Sequence, residues 1–272
     1  MEKLLFGVSG LPLGDGKKKF NYATGIEYLA RIGLDAMEMP FVRSVNVSEK
    51  NAPDILRAKR DSGLYLSAHG SYYVNLNAGD EALREKSRER LAAAARAVRL
   101  VDADIVVFHA GYYLGQESAQ AMAAVSENLA LLPSEGVRFC LETTGKPTQF
   151  GTVQEIAALC TIHPHCRICI DFAHIHARDN GALRGYADFA AILEHVGREL
   201  GRSALDDLHM HAAGISYTAK GERCHLPLRE SDFNYAAMLR ALKDFRVGGR
   251  LIAEGPLVEG DALLLKEAYR RL

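Results

Sequence analysis

The stretch CIDFAHIHA, residues 169–177, ends an apolar, β-like run by releasing Asp171, His174 and His176 within six positions. Strand alternation puts Cys169, Asp171 and Ala173 on one face and Ile168, Ile170 and Phe172 on the other, so Asp171 points where its neighbours are small and buried. A buried carboxylate needs a partner. The candidates are a cation, a local hydrogen-bond network, or a metal ion shared with His174. An isolated Asp-x-x-His is a weak signal, and the rest of the chain decides.

The same kind of residue ends other apolar runs: His69 in SAHG, His109 in VVFHAG, Glu142 in CLETT, His209 and His211 in LHMHAAG, and Glu254 in LIAEGP, with His225 following in ERCHLPL. One strand-end histidine is more often a hydrogen-bonded structural group. So many imidazoles and carboxylates on one rim, however, cannot all be buried without neutralising one another, and divalent cations do that. Histidine and carboxylate without thiolate suit zinc, manganese or iron and suit calcium poorly.

Such residues converge only if a scaffold brings the strand ends together. Short apolar runs at 4–10, 36–41, 64–70, 104–111, 137–144, 167–174, 207–214 and 250–256 read as strands. Between them lie helix-period segments such as NYATGIEYLARIG, SAQAMAAVSENLALL, TVQEIAALCTI, YADFAAILEHVGREL and FNYAAMLRALKDF, apolar on one face and charged on the other. Eight strand–helix units predict a single closed (β/α)8 TIM barrel over residues 1–272, of the α/β class, with active-site groups at the C-terminal strand ends. By the same rule His163 and His165 fall at the opposite, stabilising end.

Bulk properties narrow the function classes. Hydrophobic residues make up 48% and charged residues 25% of the 272, which is ordinary for a globular enzyme with a large core. The net charge of −1 provides no global basic field for nucleic acid. Apolar runs fall short of the roughly 20 residues that cross a bilayer, and MEKLLFGVSG lacks a leader pattern, so a cytoplasmic protein with no membrane partner is expected. Three of the five cysteines, Cys140, Cys160 and Cys169, lie in apolar runs and read as small core residues. The single C-x-x-C of Cys166 and Cys169 enters a strand and reads as structural. The run DEALREKSRERLAAAARAVR reads as a solvated helix face rather than a nucleic-acid patch.

In this order, SAHGSYYVNL, VVFHAGYY, CLETTG, CIDFAH, LHMHAAG, ERCHLPL and LIAEGP resemble the endonuclease IV family of apurinic/apyrimidinic endonucleases, within the xylose isomerase-like TIM barrels. The resemblance implies a trinuclear zinc phosphodiesterase that cuts DNA 5′ to abasic sites in base excision repair, with Mn2+ as an alternative metal. It implies one zinc between His69, His109 and Glu142, a second between Glu142, Asp171, His209 and Glu254, and a third on His174 and His225. His211, on the strand face of His209, is an alternative ligand. The resemblance further implies Glu142 and Glu254 as the catalytic carboxylates and Tyr72 as a substrate-binding aromatic. The family's third-site aspartate, two residues before the last histidine, is replaced by Arg223, which leaves Glu222 as a possible ligand.

A sugar isomerase or epimerase of the same group would need only Glu142, Asp171, His209 and Glu254 around one ion, with a small sugar as substrate; a non-catalytic metal-binding barrel is a third alternative. Glu38 ends strand two and reads either as a rim group that binds substrate or, if paired with a residue such as Arg43, as a structural one. His176 reads as a surface or supporting group.

Overall fold

The computed structural model describes residues 3–17, 19–133 and 135–272, so the first two residues of MEKLLFGVSG lie outside the described part. The chain runs β1 (Leu4–Ser9), α1 (Tyr22–Arg31), β2 (Ala36–Pro40), α2 (Ala52–Ser62), β3 (Tyr65–His69), α3 (Glu81–Leu100), β4 (Ile105–Phe108), α4 (Ser118–Leu129), β5 (Arg138–Glu142) and α5 (Val153–Ile162). It continues with β6 (Cys166–Asp171), α6 (Phe172–Arg178), α7 (Tyr186–Leu200), α8 (Arg202–Asp206), β7 (Leu208–Ala212), β8 (Gly214–Thr218), β9 (Gly221–Leu226), α9 (Tyr235–Asp244), β10 (Gly249–Ala253) and α10 (Glu259–Arg271). Eight parallel strands close in the order β1-β10-β7-β6-β5-β4-β3-β2, while β8 and β9 form a separate antiparallel hairpin. This is the expected (β/α)8 barrel. No helix among the described residues is long and apolar enough to cross a membrane.

Local chemistry sets the element ends. Asn21 caps α1 by accepting from Thr24 N–H, and Thr152 and Glu155 form a reciprocal capping box on α5. The expectation that strand six extends to residue 174 is corrected for a similar reason. Asp171 Oδ1 accepts the backbone N–H of His174 at 2.7 Å, so the aspartate caps α6, and His174 stands in a helical first turn rather than on the strand. The loop expected to carry His225 is likewise a strand, β9.

Strand alternation builds two interiors. Outward side chains such as Phe108, Phe139, Leu141 and Ile170 pack under the helices, whereas Ile105, Val107, Cys140 and Cys169 fill a small apolar zone inside the barrel. Cys166 belongs to the first set and Cys169 to the second, so the C-x-x-C residues face apart. At the N-terminal strand ends, buried Arg250 donates to Tyr65 Oη at 2.8 Å, and Arg138 bridges Asp104 and Asp207 at 2.5 and 2.6 Å. This network closes the barrel floor.

The barrel also needs one glycine at its last seam. Gly249 has φ +102°, and a Cβ there would collide with the Leu208 carbonyl oxygen on the paired strand β7. Gly249→Ala is expected to cost roughly 1–3 kcal/mol through strain and crowding. Denaturant midpoints of the two proteins check it; an unchanged midpoint would contradict the close approach.

Candidate metal centre

Alternation along β3 and β5 sends Ser67, His69, Cys140 and Glu142 into the barrel, and the last polar residue of each strand reaches its mouth. Glu142 is the hub. Its Oε2 lies 2.8 Å from His69 Nε2 and 3.0 Å from His109 Nε2, and its Oε1 lies 3.1 Å from His174 Nδ1 and 3.2 Å from His211 Nδ1. Potential ligand atoms fall into overlapping groups within 4.8 Å: His69, His109 and Glu142; Glu142, Asp171, His211 and Glu254; Asp171, His174 and His225; and Cys169, His209 and His211.

His209 is therefore not the strand-seven residue beside Glu142 and Glu254, contrary to the preferred expectation. The two histidines share a face of β7, but the pairing of Asp171 with His211 puts His211 at the mouth level and His209 one pleat deeper. There His209 Nε2 lies 2.8 Å from Glu38 Oε2. Glu38 is likewise corrected from a rim position: it is fully buried, bonded by Ser67 Oγ at 3.0 Å, and has no bond to the exposed Arg43. Burial would raise its carboxyl, but His211 and His209 hold it well below the usual range.

Glu222 faces the third group despite the Arg223 substitution. Across the hairpin, Ser216 pairs with Cys224 and Tyr217 with Glu222, so Arg223 is an extra residue in a β-bulge. The bulge restores a shared face for residues three apart. Glu222 Oε2 lies 3.7 Å from His174 Nε2 and its Oε1 3.9 Å from His225 Nε2.

Three imidazoles have the orientation that a cation site requires. His69 Nδ1 donates to Gly70 O at 3.0 Å, His174 Nδ1 to Thr143 O at 3.0 Å, and His225 Nδ1 to Glu254 O at 3.1 Å. A carbonyl only accepts, so in each ring Nδ1 is the donor to the backbone and Nε2 is the nitrogen left for a metal. Asp171 Oδ2 and His225 Nε2 are buried there without a hydrogen-bond partner. Electrostatics agree: burial would raise Glu142, yet His109 and His211 hold it well below the carboxylate range. Burial opposes the charged form of His69, but the Glu142 hydrogen bond pushes it up to about 9. Protons thus balance these carboxylates in the metal-free protein, and a divalent cation can replace them. The donor set fits such cations.

Above this layer opens a cavity of about 340 Å³ lined by His69, His109, His174, Glu222, His225 and Glu254 together with Tyr72, Tyr112, Lys146 and Gln149. Tyr72 is exposed, as a substrate contact requires. Lys146, Gln149 and Ser67 escaped the sequence reading. Alternation two residues before His69 is a signal for Ser67; a lone lysine in a loop carries none. His176 is buried on α6, within 3.2 Å of Asp232, and supports that helix from the side away from the ligand groups. His163 contacts Ser126 at 2.8 Å.

The sequence matches the family described as xylose isomerase-like TIM barrel over residues 26–272. It is 38% identical over 275 residues to an uncharacterized protein of Methanocaldococcus jannaschii, covering 99% of this chain and 98% of that one. It is 30% identical over 162 residues to a probable endonuclease 4 of Chloroflexus aurantiacus, covering 54% and 56% of the two chains. Among solved structures, a D-tagatose 3-epimerase-like protein superposes with TM-score 0.75 at 20% identity, over 98% of this chain and 96% of the other. Endonuclease IV from Thermus thermophilus superposes with TM-score 0.70 at 22% identity, over 98% of each chain. Both structural likenesses are of fold.

Proposed function

The chain belongs to the xylose isomerase-like TIM barrel family, and from that premise we propose that it is a zinc-dependent phosphodiesterase that cuts DNA 5′ to abasic sites in base excision repair. One observation supports this reading above the others: Glu142 is shared by two complete ligand groups, with a third group on Asp171, His174 and His225 beside them. A one-metal sugar site requires none of His69, His109 and His225. The partial identity to a probable endonuclease 4 points the same way.

Divalent ions held there would neutralise charge on the phosphate oxygens and lower the pKa of a water ligand. The chain's own residues do the rest. Glu142 presents one oxygen to each of its flanking groups, and Glu254, with its side chain 12% exposed, stands where a carboxylate can take a proton from water entering the cavity. Lys146 adds fixed positive charge for a phosphate, and the exposed ring of Tyr72 offers a stacking face to a nucleotide.

The second reading is a sugar isomerase or epimerase. It is favoured by the group of Glu142, Asp171, His211 and Glu254, which is complete without the other histidines. One assay separates the two: a duplex oligonucleotide with a single abasic site, incubated with zinc or manganese at low salt, where phosphate contacts are strongest. Cleavage on the 5′ side is expected. Glu222→Gln, which touches only the third group, should slow it by about 10- to 100-fold, or roughly 1.4–2.7 kcal/mol. No cleavage, together with epimerisation of a ketose by the same preparation, would make the second reading correct.

A further inference from the structure

Below the mouth lies a buried polar layer that the proposed chemistry does not use: Glu38 on β2, Ser67 on β3 and His209 on β7, all at most 1% exposed. A buried carboxylate is costly unless it is paired and hydrogen-bonded, so its partners are informative. Its two oxygens have different partners. Oε2 is held by Ser67 Oγ–H at 3.0 Å and by His209 Nε2 at 2.8 Å. Oε1 makes no hydrogen bond, and it lies 3.1 Å from His211 Nε2, which is also without one. The opposite nitrogen of that ring, Nδ1, is hydrogen-bonded to Glu142 Oε1 at 3.2 Å and lies 3.6 Å from Glu254 Oε2, so its proton is the one a bound ion would displace.

We infer that Glu38 is a positioning residue for the centre: pinned by Ser67 and His209, it keeps the proton of His211 on Nε2 and so commits Nδ1 to the ion shared by Glu142, Asp171, His211 and Glu254. A carboxylate behind a ligating imidazole fixes its tautomer and ring orientation and raises its basicity as a ligand. The β2–β3 register supports this arrangement, since Glu38 and Ser67 are direct cross-strand partners. Met37 and Met39 on either side face the outer core, so alternation leaves Glu38 no direction but inward.

The inference rests on the metal-centre reading, and its test separates the two. Zinc-loaded wild type, Glu38→Ala and Glu38→Gln, labelled with 15N-histidine, are compared by chelator competition and by the His211 Nε2–H resonance. Glu38→Ala is expected to weaken one bound ion by about 10- to 100-fold, to leave the ion on His69 and His109 within about twofold, and to lose that resonance. Glu38→Gln keeps an accepting oxygen and should retain the resonance, shifted upfield, with an intermediate loss of affinity. If Glu38→Ala fails to fold, Glu38→Gln decides alone, and an unshifted resonance with wild-type affinity overturns the inference. Equal weakening of every ion would also overturn it, because that marks a merely structural role. A wild-type protein that binds no zinc overturns both this inference and the metal reading.

Discussion

Glu142→Gln is expected to leave the barrel folded and to reduce phosphodiester cleavage by more than about a thousandfold, which corresponds to about 4 kcal/mol. The reason is connectivity. His69, His109, His174 and His211 all lie within 3.2 Å of this one carboxylate, and it belongs to two ligand groups at once. The amide that replaces it is neutral, so both groups lose a negative charge, and its NH2 turns a donor toward atoms that must accept a cation. Glu222→Gln removes a carboxylate 3.7 Å from His174 and 3.9 Å from His225, outside both of those groups. Its smaller loss is the internal comparison. Circular dichroism checks the fold, metal analysis the ion content, and single-turnover cleavage the rate. A Glu142→Gln protein that cleaves within tenfold of wild type would remove this carboxylate from the mechanism.

Removing metal with a chelator and restoring zinc is the second large effect. An ion that binds only the folded state at a thousand times its Kd contributes about 4 kcal/mol, which for a chain of this size raises Tm by roughly 8–16 °C. The gain should depend on pH. In the metal-free protein, burial opposes the imidazolium of His69 but the Glu142 hydrogen bond raises its pKa from 6.5 to about 9. A raised histidine stabilises fully below its unfolded pKa, and that contribution is lost as pH rises through the folded one. Between about pH 6.5 and 9 the metal-free protein therefore loses stability that the zinc form does not depend on. His174, buried but raised by Asp171 and Glu142, acts with the same sign. Scanning calorimetry of both forms at pH 6.5 and 8.8 should show a larger zinc-induced shift at the higher pH; a smaller one would contradict the pairing.

Much of this was legible in the chain itself, for physical reasons that apply residue by residue. Strand alternation with period two decides which side chains enter the barrel, and helix periodicity decides which faces cover it, so His69, His109, Glu142, Asp171 and Glu254 could be placed at the mouth from their positions alone. Depth is a different matter. His209 and His211 have the same parity, and nothing local distinguishes them; the pairing of β6 with β7 sets which one is level with Asp171. Glu38 has inward parity too, but whether an inward residue reaches solvent depends on how far each tilted strand extends, a property of the closed barrel as a whole. Glu222 shows the converse case: three residues from His225 on β9, it would face away under strict alternation, and the bulge at Arg223 turns it back. The amino-acid sequence determined the fold, the faces and the kinds of side chain that gather at the mouth, because these follow from short-range periodicity. Tertiary structure alone decided depth and mutual distance, because strand register, barrel closure and a backbone bulge are settled between segments far apart in the chain.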